Sequence, residues 1–100
     1  MNKEQTLTGV IRGTGACVPK RVMDNDEIAG FVETSDEWIQ SRTGIRERRI
    51  SEGADTAELA AGAAKAALEN AGVSADDVDL IIVSTISSNV ILPCTACEVQ

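Results

Sequence analysis

Trp38 and Arg42 lie four residues apart. On a helix that spacing sets an indole plate and a guanidinium fork on one face. The plate can stack on a purine, and the fork can take a phosphate in a bidentate contact. Arg46, Arg48 and Arg49 follow closely, so four of the nine basic residues fall between positions 42 and 49. All are arginine, the type suited to planar anion recognition. One reading is a local anion site that holds a phosphorylated nucleotide carrier. Two others fit the same residues. One is a core tryptophan with a solvent-facing arginine near a helix C-terminus, where the macrodipole favours it. The other is a charged edge strand that resists aggregation. Spacing alone leaves all three open.

The remaining reactive residues say less. Cys94 and Cys97 form a lone Cys-x-x-Cys, half of a zinc site or a redox pair. No second pair completes a metal site. With Cys17 they read as small buried residues. The chain has no histidine, which removes the commonest general base and metal ligand. No catalytic residue and no metal ligand is therefore assigned within it.

Those side chains need elements to carry them. Thr34 and Glu37 have capping-box spacing and would open a helix through Trp38, Ile39 and Arg42, with Gly44 as its stop. Asp24 and Glu27 have the same relation and start a short helix towards Val32. Residues 45–50 then read as an extended, arginine-rich segment. Asp55 and Glu58 begin the best-defined helix, residues 55–71, ended by Gly72. Asp55, Glu58, Gly62, Lys65 and Glu69 trace one narrow stripe on it. Nearly all the rest of its surface is alanine and leucine, so it must pack closely against several neighbours. Residues 80–86 form a β-branched run expected of a parallel strand covered on both faces. Residues 8–13 read as an opening strand that runs into Gly13-Thr14-Gly15. This Gly-x-Gly is not a dinucleotide loop: Val18 takes the third glycine's place and Pro19 follows at once. Pro93 opens a last helix at its first position. Helix followed by apolar strand makes the fold class α/β.

Composition bounds the rest. One hundred residues with 43% hydrophobic and 25% charged residues suit one small globular domain. The net charge of −7 and only two aromatic residues, Phe31 and Trp38, speak against nucleic-acid binding. No apolar run reaches the ~18 residues of a membrane span. The polar start, Met1 to Thr6, does not lead into a signal peptide, so a cytoplasmic location is expected. Charge is uneven: residues 1–50 are neutral, and residues 51–100 set Lys65 against eight acids. Gln100 carries no stop signal, so the chain is expected to break off inside an element.

Thr34-Ser35-Asp36-Glu37-Trp38-Ile39, followed by Arg42-Thr43-Gly44-Ile45-Arg46-Glu47-Arg48, closely resembles the β-ketoacyl-acyl carrier protein synthase III family. The flanking Gly13-Thr14-Gly15 with Val18-Pro19, Ala71-Gly72, Leu80 to Thr85, and Pro93 with Ala96-Cys97 agree in order. The resemblance covers residues 8–100. It implies an α/β thiolase-like layered fold, with residues 1–100 as the N-terminal part and most of the first α/β half. It implies an acyltransferase that condenses an acyl-CoA primer, acetyl-CoA being expected, with malonyl-acyl carrier protein at the start of type II fatty-acid synthesis. CoA thioester would be a substrate, with no tightly bound cofactor, and the complete enzyme would be a homodimer. The family's adenine-stacking tryptophan falls on Trp38, its phosphate-contacting arginine on Arg42, and a threonine near the adenine on Thr34. The family's Cys-His-Asn catalytic set has no counterpart here, since Glu98-Val99-Gln100 after Cys97 does not continue the cysteine motif. A related synthase of polyketide, quinolone or branched-chain pathways, and a non-catalytic CoA-binding module, are the alternatives.

Overall fold

Side-chain oxygens start three of the helices. The structure, a computed structural model, describes residues 6–100; the polar opening stretch 1–5 lies outside them. Asp24 accepts from the Glu27 amide at 2.9 Å and begins α1, Asn25–Ala29. Asp55 accepts from the Glu58 amide at 2.8 Å and begins α3, Thr56–Ala71. Each satisfies an amide that lacks an intrahelical partner. Between them, α2 spans Asp36–Thr43. Its cap is Ser35, whose hydroxyl accepts from the Trp38 amide at 3.2 Å, and not Thr34 as the spacing predicts. The Thr34 hydroxyl oxygen is instead turned inward, buried and unpaired. Gly44 and Gly72 end α2 and α3 with φ of 74° and 66°, a left-handed turn that glycine adopts without a Cβ penalty.

β1, Arg21–Asp24, and β2, Glu47–Ile50, pair antiparallel, with Arg21 opposite Ile50 and Asp24 opposite Glu47. This is the expected extended arginine-rich segment. The two strands expected at residues 8–13 and 80–86 form no ladder among the described residues. A strand exists only through its partner's hydrogen bonds, and neither run meets one. The last helix, α4, is Thr95–Val99 with Cys94 as its N-cap. The start expected at Pro93 is therefore two residues early.

The alanine surface of α3 meets the Gly-x-Gly segment. A Cβ on Gly13 would fall 2.7 Å from both the Ala67 carbonyl oxygen and the Ala71 methyl. One on Gly15 would fall 2.5 Å from the Ala63 carbonyl oxygen. The Thr14 amide donates to the Asn70 side chain at 3.2 Å. These glycines thus let the backbone of this segment approach the helix closely. α4 packs on α3 as well.

Among the described residues no apolar side chain is fully buried; the buried ones are Asn25 and Thr95. The radius of gyration is 19.1 Å, against about 13 Å for a compact domain of this length. Leu80, Ile82 and Ile86 stand exposed. The elements of a layered fold are present, and several of their apolar faces have no partner among these residues.

Candidate functional site

Helix α2 displays the predicted pair. Trp38 is 57% exposed among the described residues. The Arg42 guanidinium carbon lies 5.8 Å from the indole centroid, within the ~6 Å reach of a cation–π contact. One helical turn separates them, as the spacing requires. A cavity of about 250 Å³, open to solvent, is lined by Glu33, Thr34, Ser35 and Trp38. Thr34 and Trp38 therefore share a cavity wall, and Arg42 sits against the indole from the next turn. Because the Thr34 hydroxyl oxygen is buried, its remaining atoms supply its partial exposure. An aromatic plate backed by a cation, beside an open cavity, can take a flat heterocycle and an attached anion.

The other arginines divide. Arg48 donates to the Met23 carbonyl at 3.3 Å and to the Asn25 side-chain oxygen at 2.7 Å. Arg49 donates to the Pro19 carbonyl at 3.1 Å. Both are engaged within the fold by neutral acceptors, which fix their positions and leave their positive charge in place. β2 alternates, with Arg48 and Ile50 on the less exposed side and Glu47 and Arg49 outward. Arg46 acts electrostatically on Asp36.

Asn25, which the sequence reading passed over, is 1% exposed and ties these elements together. Its amide nitrogen donates to Asp36 and to the Ile45 carbonyl, both at 2.8 Å, while its oxygen accepts from Arg48. Both amide hydrogens are thereby used, and the oxygen is paired. The Gln40 amide donates to both Asp36 oxygens, at 2.8 and 2.7 Å. Hydrogen bonds from Gln40 first and Asn25 second hold the Asp36 carboxyl below its ordinary value of 3.8, against an opposing effect of burial and with a smaller contribution from Arg46. The signal for Asn25 was indirect and did not name it: the period-two alternation of β2 turns Arg48 to the less exposed side, and a partly buried guanidinium needs some acceptor.

The cysteines do not behave as small buried residues: all three are exposed and unbridged. Cys17 lies over Gly62, where a Cβ would meet its sulfur at 2.7 Å. Cys94 and Cys97 approach to 3.4 Å between sulfurs. The Cys97 backbone amide and then its thiol lower the Cys94 pKa, and Cys94 in turn raises that of Cys97. No group of three or more candidate metal ligands occurs among the described residues.

No protein-family model matches the chain. Individual proteins match strongly. It is 58% identical over 90 residues to the β-ketoacyl-[acyl-carrier-protein] synthase III of Clostridium beijerinckii, covering 90% of this chain and 28% of that protein. Against the synthase III of Agrobacterium fabrum it is 54% identical over 95 residues, covering 94% and 29%. The crystal structure of 3-oxoacyl-[acyl-carrier-protein] synthase III from Aquifex aeolicus superposes with a TM-score of 0.85 at 46% identity, over 89% of this chain and 29% of that one. The priming β-ketosynthase of the R1128 polyketide pathway superposes with a TM-score of 0.83 at 37% identity, over 89% and 27%. The α/β fold is thus that of the thiolase-like synthases. The chain spans about 29% of the length of the relatives it matches, and it belongs to the β-ketoacyl-acyl carrier protein synthase III family.

Proposed function

We propose that in the full-length protein this chain supplies the nucleotide-gripping part of a condensing enzyme's coenzyme A site, within the N-terminal portion of a thiolase-like domain. The enzyme would transfer an acyl group from CoA to a cysteine and condense it with malonyl-acyl carrier protein, initiating type II fatty-acid synthesis. One observation carries the reading: an exposed indole, with a guanidinium 5.8 Å from its centroid, beside an open cavity. Trp38 stacks on the adenine, Arg42 turns its fork to a phosphate, and Thr34 flanks the base through the atoms it leaves exposed. None of these residues moves a proton; they bind and orient the donor. Thiol acylation and decarboxylation need the family's Cys-His-Asn set, and this chain has no histidine. The enzyme would act as a cytoplasmic homodimer with acyl-CoA and acyl carrier protein as partners and no tightly bound cofactor. No helix among the described residues is long and apolar enough to cross a membrane.

Trp38→Ala and Arg42→Ala in the full-length protein test this reading. Each should raise the KM for the acyl-CoA donor about tenfold or more, the scale of losing a stacked ring or a charge-assisted bond. The KM for malonyl-acyl carrier protein should stay unchanged. Unaltered donor KM in both variants would remove the site. The likeness to a priming ketosynthase favours a second reading, a polyketide starter enzyme. Primer competition between acetyl-CoA and longer acyl-CoAs separates the two.

A further inference from the structure

We infer that Asn25 is a positioning residue for the coenzyme A site, setting donor affinity by locking the helix that carries Trp38 and Arg42; this rests on the function proposed above.

Asn25 lies outside the cavity wall, which Glu33, Thr34, Ser35 and Trp38 form. Its effect must pass through what it holds. Its Nδ2 grips α2 at the first turn through Asp36 and again beyond the C-terminus through the Ile45 carbonyl. Trp38 and Arg42 sit between those two anchors. Its Oδ1 is held by Arg48 of β2, which also caps the Met23 carbonyl of β1. One amide therefore fixes both ends of α2 to the two-stranded sheet. Among the described residues no side chain of α2 is fully buried, so these polar bonds are the anchors that this part of the fold supplies. A stacking plate set by so few bonds loses alignment when one of them goes, and small misplacements are costly in a binding site.

Aspartate keeps the shape but has no N–H, so its carboxylate would face the Asp36 carboxylate and the Ile45 carbonyl, both acceptors. Arg48 would still pair with it, and Arg46 would act on Asp36 as before. Two facing carboxylates share a proton readily, so their apparent titration lies above the ordinary range. Once protonated, the introduced group can donate to Asp36 and restore one anchor.

The test uses the full-length protein with Asn25→Ala, Asn25→Asp and Trp38→Ala, assayed with acetyl-CoA and malonyl-acyl carrier protein. Asn25→Ala should raise the donor KM about tenfold while leaving the carrier-protein KM and kcat near wild type. Asn25→Asp should show a raised donor KM near pH ~8 that falls towards the wild-type profile by pH ~5.5. Asn25→Asp keeps the inference testable if the alanine variant does not fold. Donor KM equal to wild type in both Asn25 variants overturns it. So does a uniform loss across kcat and both KM values without recovery at low pH, which marks a merely structural residue. If Trp38→Ala leaves donor KM unchanged, the site reading itself fails. If Trp38→Ala raises it and the Asn25 variants do not, only the present inference falls.

Discussion

Asp36 receives three hydrogen bonds, two from Gln40 and one from Asn25, and each favours its charged form. Its folded pKa is depressed, so its contribution to stability is present above the unfolded value near 3.8 and is lost as pH falls through the lower folded value. Thermal unfolding of Asp36→Asn should therefore fall short of wild type at neutral pH, and the gap should close below about pH 4. A gap constant across that window would refute the assignment. At this scale the sequence was half readable. Trp38 and Arg42 declared themselves through type and spacing, because both act on one helical face. Asn25 did not, because an asparagine beside a cap looks like any turn residue until its distant partners, Asp36, Ile45 and Arg48, are known. The cap itself slipped by one residue, since Thr34 and Ser35 are adjacent hydroxyls and only backbone geometry decides which one faces the helix.

The elements divide the same way, by whether their determinants are local. α1, α3 and the end of α2 follow from Asp24, Asp55, Gly44 and Gly72, each within a turn of what it controls. Residues 8–13 and 80–86 have strand composition but pair with nothing described, since pairing is a property of neighbours and not of the run itself. The contact between α3 and the glycine segment was half visible: alanine richness demanded a close neighbour without naming it. That contact makes Gly15 sensitive. Gly15→Ala should destabilise by about 1–3 kcal/mol through overpacking against the α3 backbone. Gly53→Ala, where an added Cβ meets nothing within 4 Å, should stay within about 0.5 kcal/mol. Chemical denaturation of the two variants in the full-length protein compares them, and equal effects would discount the contact.

Among the described residues the chain is extended, and its apolar faces at Leu80, Ile82 and Ile86 are uncovered. It also spans under a third of its relatives' length. On the proposed function, these hundred residues expressed alone should neither accept an acyl group from acetyl-CoA nor release carbon dioxide from malonyl-acyl carrier protein. Radiolabelled acyl transfer and product release measure this, and robust turnover would contradict it. The junction at Asn25 has a thermodynamic corollary. Directional polar bonds hold it, so prising it apart wets little oily surface and carries only a small heat-capacity increment. Its strength should thus drift little on warming or cooling, unlike a contact made by hydrocarbon burial.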